Sequence, residues 1–215
     1  YNFFKQKNMS KDEARKLLGL REDEKVLLFF GLVRDYKGLK HLLKAVEILK
    51  KRDEAFLLNF KVLIVGDFAG SRDKYDKMIE EYGIGQYLSI TDEFLQIPEV
   101  EKYFAASDMV VLPYESATQS GVIQIAYSFE KPVIATRVGG LPDVVIDCVT
   151  GYLVNPLKPK EIADSIVDYY KNNRYEKFRE GIKKEAYRYS WDRMEEVINS
   201  LTAFGIEEVK EDTTE

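Results

Sequence analysis

Short apolar runs that alternate with helix-length amphipathic segments constrain the fold of this chain more than any other feature. Four runs are rich in β-branched and aromatic residues and end near Gly, Asp or Pro: 25–31, 60–67, 109–114 and 131–138. Their apolar character is continuous, which is typical of strands covered on both faces. Two weaker runs, 86–93 and 151–156, complete a predicted sheet of about six strands.

The segments between these runs have helical spacing. In 38–52, apolar residues recur at intervals of three and four with lysines opposite. A second helix is expected to begin at Ser71, as an N-cap, and to end near Gly83. Further helices are predicted over 98–106, 120–130, 141–147, 158–172 and 175–203. Strands alternating with helices favour parallel strands joined by right-handed crossovers, so we predict a doubly wound, mostly parallel α/β domain with helices on both faces.

Composition limits the classes of function. The chain has 215 residues, of which 37 are acidic and 32 basic, giving a net charge of −5. No global basic field would hold a nucleic-acid backbone, so we expect no nucleic-acid partner and only a local anion site. No apolar run approaches the ~20 residues of a membrane helix, and we expect a cytoplasmic protein. The chain begins with Tyr1 in an aromatic stretch, which favours a fragment that lacks an N-terminal partner domain.

The single cysteine and the single histidine give little support to common catalytic sets. Cys148 excludes a disulfide within the chain and is expected to be a small buried residue. His41 is expected on a solvated helix surface beside lysines, so triads that need a histidine base are poorly supported. One His and one Cys far apart form no zinc set, and neither a P-loop nor a dinucleotide fingerprint is present.

The turn after the first strand predicts an anion site. Ligands of doubly wound sheets bind beyond the carboxyl ends of the strands. Gly31 ends the strand and Gly38 opens the helix, and glycine permits positive φ and close approach of a ligand. Arg34 and Lys37 lie between them, beside a helix N-terminus that favours anions. A guanidinium can fork across two phosphate oxygens while an ammonium acts as a point charge, so the pair suits a diphosphate; the alternative is a solvated turn.

The turn after the strand 109–114 is a second candidate anion site. Glu115 comes first, and a small polar run then leads into a helix: Ala117, Thr118, Gln119, Ser120 and Gly121. Ser120 or Thr118 is expected to cap that helix. Hydroxyls, a glycine and a helix N-terminus also bind anions. Gln124 is the polar residue in the first turn of this apolar helix, and a plain surface position is its alternative.

Three further turns follow other predicted strands. Gly139 and Gly140 predict a tight loop, with Pro142 in a first helical turn and Asp143 beside that helix N-terminus.

Gly66 and Asp67 end the second strand, with a plain turn as the alternative. Phe94, Leu95 and Ile97 form an apolar edge that can flank a nucleobase or simply pack.

Taken in order, these turns resemble the C-terminal, donor-binding domain of the retaining glycosyltransferases of family 4, which have the two-domain GT-B fold. The matching stretches are FFGLVRDYKGLKHLLKAVEIL, VLIVGD, EKYFAASDMVVLPY, KPVIATRVGGLPDVV, TGYLVNP and YSWDRM. They cover roughly residues 25–195. The resemblance implies one Rossmann-like half of a GT-B fold over 1–205, followed by an acidic tail, 206–215, that is expected to fray.

The resemblance implies transfer of a hexosyl group from a GDP-, UDP- or ADP-linked sugar to an acceptor, with retention and without an obligatory metal or other cofactor. Arg34 and Lys37 match the family's diphosphate-binding pair, although the family arginine often stands where this chain has Leu32. The acceptor would bind the missing N-terminal domain, which would also supply any contact with the inner membrane face. The fragment would then bind nucleotide but catalyse little alone.

The sequence departs from the family at two glutamates, seven residues apart, that contact the donor sugar and the ribose. Counting back seven residues from Pro132 leads to Ile125, and counting five on from Gly121 leads to Ala126; neither residue is acidic. Gln124 is the nearest polar group for the ribose, and Glu115 or Thr118 can serve the sugar. The ATQSG form resembles a variant found in some family members, so we expect a changed site. A non-catalytic nucleotide-binding module, a receiver-like signalling domain and a sugar-nucleotide epimerase are the alternatives.

Overall fold

The computed structural model describes residues 4, 5, 7–70 and 72–188, with side chains up to residue 185. A six-stranded parallel sheet lies at its centre, in the order β3-β2-β1-β4-β5-β6. The strands are β1 Lys25–Phe30, β2 Phe60–Val65, β3 Leu88–Thr91, β4 Met109–Leu112, β5 Val133–Thr136 and β6 Gly151–Val154. The predicted fold class is confirmed, and every strand falls within its predicted range.

Seven α-helices lie in the described part of the chain. They are α1 Lys11–Leu17, α2 Leu39–Arg52, α3 Asp73–Tyr82, α4 Ile97–Ala106, α5 Gly121–Ser128, α6 Pro159–Lys171 and α7 Tyr175–Arg188. Ser71 and the rest of the predicted helix 175–203 lie outside the described residues, as does the acidic tail. Within those residues, no helix is both long and apolar enough to cross a membrane.

The two faces of the sheet carry separate apolar cores. Leu27 and Phe29 of β1 pack with residues of α2, α3 and α6, while Val26 and Leu28 pack with residues of α1, α4 and α5. Alternate side chains of one strand therefore enter opposite cores, and all four are fully buried. This two-sided burial explains why the strands read as unbroken apolar runs.

Two local predictions differ from the structure. The expected helix 141–147 is wrong: the segment forms turns, because Asp147 accepts from the Leu153 amide at 3.0 Å and Thr150 Oγ1 accepts from the Ile146 amide at 2.9 Å, which directs the chain into β6. Conversely, sequence reasoning missed α1. Its signal was a capping box in which the Glu13 amide donates to Ser10 Oγ and Glu13 accepts from the Ser10 amide.

A buried charged cluster fastens the amino ends of the central strands. Asp108, directly before β4, accepts from the Val26 amide at 2.7 Å and from the Tyr170 hydroxyl at 3.0 Å. Arg15 Nη2 lies 3.1 Å from Asp108 Oδ1, and Arg15 is 2% exposed. The carboxylate thus joins β1, α1 and α6 at one point.

At the opposite edge, successive loops touch main chain to main chain. Gly38 has φ 67°, and a Cβ there would lie 2.0 Å from the carbonyl oxygen of Pro113. Gly139 has φ 50°, and its Cβ would lie 1.6 Å from the carbonyl oxygen of Ala117. The loops after β1, β4 and β5 therefore stack at a spacing that only glycine allows.

Asp108→Ala should lower the free energy of unfolding by about 3–5 kcal/mol, because it leaves the buried Arg15 guanidinium without its carboxylate. Urea denaturation measures the loss. Asp164→Ala is the matched control: it breaks the exposed ion pair with Arg52, and should change stability by no more than about 1 kcal/mol. Similar losses in both variants would contradict a structural role for the cluster.

Gly139→Ala should destabilise the chain more than Gly19→Ala. Both residues have left-handed φ, so each alanine carries a backbone cost of about 1–2 kcal/mol. A Cβ at Gly19 meets nothing within 4 Å, whereas at Gly139 it meets the Ala117 carbonyl. Chemical denaturation should show an additional loss for Gly139→Ala, and equal losses would argue against the stacked loops.

Candidate functional site

The site lies where the strand order reverses. From β1, the chain builds the sheet outward through β2 and β3, then returns to place β4 on the other side of β1. The connections that leave β1 and β4 therefore diverge to opposite directions and open a crevice at the carboxyl edge. The β1 loop, residues 31–38, and the β4 loop, residues 113–120, form its two walls.

A cleft of about 560 Å³ lies between these loops. It is lined by Tyr36, Lys37, Tyr114, Ser116, Ala117, Thr118, Gln119, Ser120, Gly121 and Val122. Lys37 from the first predicted turn and Gly121 from the second thus face one space. Thr118, Gln119 and Ser120, also predicted from the second turn, line the same cleft.

Lys37 supplies an uncompensated cation to the cleft. Its ammonium lies 5.7 Å from the centre of the Tyr114 ring and 2.8 Å from the position that a Cβ on Gly31 would take. Within the described ranges it has no hydrogen-bond or ion-pair partner. Burial lowers the pKa of Lys37, since the charged form loses hydration. An anion in the cleft would reverse that effect.

The N-terminus of α5 opens onto the same cleft. Ser120 occupies the N-cap position, but no side chain caps the first turn. The expected cap by Ser120 or Thr118 is therefore wrong: Ser120 Oγ lies instead 3.4 Å from the Tyr114 hydroxyl, whose pKa burial raises to about 12. An uncapped helix N-terminus provides amide donors and a positive dipole end for an anion.

A second cavity of about 260 Å³ adjoins the cleft and is mainly apolar. Its lining includes six predicted residues: Gly31, Gly66, Asp67, Phe94, Leu95 and Ile97. The lining is completed by Phe4, Phe30, Leu32, Glu93, Val100 and Ile125. Gly31 of the apolar cavity lies beside the Lys37 ammonium of the cleft, which is 2.8 Å from the position that a Cβ on Gly31 would take.

Four predicted residues line neither cavity. Arg34 is exposed at the start of the one-turn helix Asp35–Lys37. Gly38 is buried against Pro113, where it fixes the loop spacing. Gln124 is half-buried on α5, between Val122 of the cleft and Ile125 of the apolar cavity.

Glu115, the fourth, is held by ion pairs. Its Oε1 lies 2.8 Å from Lys40 Nζ and 2.9 Å from His41 Nε2. The hydrogen bond from Lys40 has the largest effect and lowers the pKa of the Glu115 carboxyl; burial opposes it, and the hydrogen bond from His41 lowers the pKa further. Its catalytic role stays a prediction.

The expectations for the two lone residues are wrong. His41 lies in the first turn of α2, and its side chain is only 13% exposed because it packs against Glu115 and the Gly38 turn. Cys148 is exposed, in a left-handed turn that leads into β6. Proximity to Gly38 in the sequence was the one signal that could have placed His41 near the site.

The loop after β5 packs against the β4 loop, which forms one wall of the cleft. Gly140 donates its amide to the Thr118 carbonyl at 2.8 Å. Because residues 141–147 form no helix, Asp143 has no helix N-terminus to complement.

Within the described residues, no group of three or more His, Cys, Asp or Glu could hold a metal ion. The expectation that no metal is obligatory stays a prediction.

Comparison with known proteins gives a consistent family. The family model described as glycosyl transferases group 1 matches residues 10–189. The chain is similar to a D-inositol 3-phosphate glycosyltransferase of Paenarthrobacter aurescens, with 32% identity over 74% of this chain and 38% of that protein. The chain spans about half the length, or less, of the curated relatives it matches.

Solved structures show the same fold. The C-terminal domain of a group 1 glycosyl transferase from Francisella tularensis superposes with a TM-score of 0.72, at 18% identity over 85% of this chain and 94% of that one. Anabaena Alr3699/HepE in complex with UDP-glucose has a TM-score of 0.76, at 20% identity over 94% of this chain and 55% of that one. The predicted Rossmann-like half of a GT-B fold is confirmed. With the family model covering 10–189, the chain belongs to the group 1 glycosyl transferases.

Proposed function

We propose that this chain is the donor-binding domain of a retaining, family 4 hexosyltransferase and binds a nucleotide diphosphate sugar across the two adjoining cavities. One observation carries the proposal: the half-buried Lys37 ammonium, which has no hydrogen-bond or ion-pair partner among the described residues, and the uncapped N-terminus of α5 line a single cleft. Two independent sources of positive potential in one space suit a compact dianion such as a diphosphate.

The diphosphate is the group by which the protein binds the donor, and it is part of the leaving group of the reaction. As the sugar–phosphate bond lengthens, negative charge grows on the departing phosphate. Lys37 and the amides near Gly121 are in place before the reaction, so they stabilise this charge without reorganising solvent. Arg34 belongs to the same loop, and its exposed side chain, without a hydrogen-bond partner among the described residues, can fold over the outer phosphate. This arrangement requires no metal.

The apolar cavity is the proposed nucleobase site. Gly31 and Gly66 line this cavity at the strand ends, and Phe94, which is 73% exposed, can cover one face of a base. Asp67 offers a carboxylate at the rim. The UDP-glucose complex of the Anabaena protein supports UDP as the first candidate to test among UDP, GDP and ADP.

The ribose and the transferred sugar are assigned to residues other than those proposed for the diphosphate and the base. Gln124 lies on α5, in sequence between Val122 of the cleft and Ile125 of the apolar cavity, and it is the candidate for the ribose because its amide can bond a diol. Thr118 and Gln119 of the cleft wall are the candidates for the transferred sugar. An unchanged nucleotide affinity in Gln124→Ala would remove Gln124 from the site.

The remainder of the protein completes the enzyme in this proposal. Because the chain spans about half of its relatives, the acceptor and any group acting on its hydroxyl are assigned to a further domain, in a cytoplasmic protein that reaches the inner membrane face only through that domain. The chain alone would bind donor without turning it over. The lack of an acidic residue at Ile125 or Ala126, where counting leads to an expected glutamate, favours a non-catalytic nucleotide-binding module as the second candidate; transfer by the full-length protein decides between them.

UDP should raise the melting temperature of the chain. A ligand that binds only the folded state, at about 100 times its Kd, stabilises by about 2.7 kcal/mol. For a domain of this size that corresponds to a shift of roughly 5–10 °C. A thermal-shift panel of UDP, GDP, ADP and their sugar conjugates measures it. No shift with any nucleotide would contradict the proposed donor site.

Lys37→Gln should weaken diphosphate binding by roughly 10- to 150-fold, the equivalent of one charge-assisted hydrogen bond of about 1.5–3 kcal/mol. Lys160→Gln, which removes an exposed lysine of α6, is the control and should bind normally.

Calorimetry at several pH values tests the same lysine in a second way. Burial lowers the Lys37 pKa in the free chain, so affinity should fall as pH rises through that pKa. A pH slope that persists in Lys37→Gln would point to another group.

A further inference from the structure

The two walls of the cleft come from parts of the sequence that only tertiary contacts hold together. The β1 loop carries Lys37, and the β4 loop leads to Gly121. Their backbones meet where the Glu115 amide donates to the Tyr36 carbonyl at 2.7 Å and where Gly38 touches Pro113. Any change in this spacing would separate the ammonium from the helix N-terminus.

Side chains reinforce the same junction. Glu115, in the β4 loop, lines neither cavity, and its carboxylate contacts the first turn of α2. There, Oε1 meets Lys40 Nζ at 2.8 Å and His41 Nε2 at 2.9 Å. An ionised carboxylate only accepts hydrogen bonds, so His41 must donate through a proton on Nε2. This contact exists with neutral or protonated imidazole.

His41 is the better placed of the two donors. Its side chain is 13% exposed, compared with 47% for Lys40. The imidazole Cδ2 also lies 3.0 Å from the position that a Cβ on Gly38 would take, so the ring packs on the turn that follows Lys37. A shielded, rigid ring fixes geometry more firmly than an exposed lysine, whose ion pair is screened by solvent.

We propose that His41 is a positioning residue which, through its hydrogen bond to Glu115, holds the β4 loop against the β1 loop at the spacing that one diphosphate requires. The inference rests on the proposed donor site. Neither His41 nor Glu115 lines the cleft, so the pair acts on the ligand only through the relative position of Lys37 and Gly121.

A variant that lacks the N–H hydrogen-bond donor of His41 tests this role. His41→Leu should weaken binding of UDP and of inorganic pyrophosphate by about 10-fold, the scale of one charge-assisted hydrogen bond. Uridine, which lacks the diphosphate, should bind as it does to the wild-type chain. Hydrogen exchange at the Glu115 amide should accelerate in the variant, because its bond to the Tyr36 carbonyl is no longer reinforced.

Two matched variants separate positioning from general stability. His41→Gln keeps an N–H donor at a similar reach and should recover most of the UDP affinity. Lys40→Gln removes the exposed partner of the same carboxylate and should change affinity less than about 2-fold, as expected for a screened surface pair. If His41→Leu does not fold, Glu115→Met removes the same hydrogen bond from the other side and carries the same expectation.

The outcomes are distinguishable. The inference is overturned if His41→Leu binds UDP like the wild type, if His41→Gln is as weak as His41→Leu, or if uridine binding falls equally. A wild-type chain that binds neither UDP nor pyrophosphate overturns the proposed function, and the inference with it. Normal wild-type binding with no effect of His41→Leu overturns the inference alone.

Discussion

Main-chain contact between consecutive loops is the constraint on which the candidate site depends. Gly38 rests on Pro113, and Gly139 rests on Ala117, each closer than any side chain would permit. The loops after β1, β4 and β5 consequently form one stack, and the cleft is the space left in it. Lys37 and Gly121 face each other because of this backbone arrangement rather than through a bond between them.

Much of the fold was predictable because its physical causes are local or periodic. Burial on both faces makes each strand a continuous apolar run, and amphipathic spacing identifies α2 and α6. The errors arose where few residues decide the structure. Helix α1 has only seven residues and depends on a capping box, while residues 141–147 follow hydrogen bonds from Asp147 and Thr150 that propensity does not reveal.

The site was predictable to the extent that a parallel sheet gathers the ends of its strands at one edge. That rule brought Lys37, Thr118 and Gly121 to one cleft, and Gly31, Gly66 and Phe94 to the next. The rule could not predict that Glu115 pairs with Lys40 and His41. The partner of Glu115, His41, is 74 positions away, and their pairing depends on the rotation of α2 and the path of the β4 loop.

The Asp108 cluster lies at the amino ends of the strands, and the cleft lies at their carboxyl ends. The ionic anchor of the fold and the recognition surface are thus spatially segregated. Side chains that face the cleft do not hold the sheet together, so they can be substituted without loss of the fold. A scaffold divided in this way permits its recognition residues to change independently of the cluster that anchors the sheet.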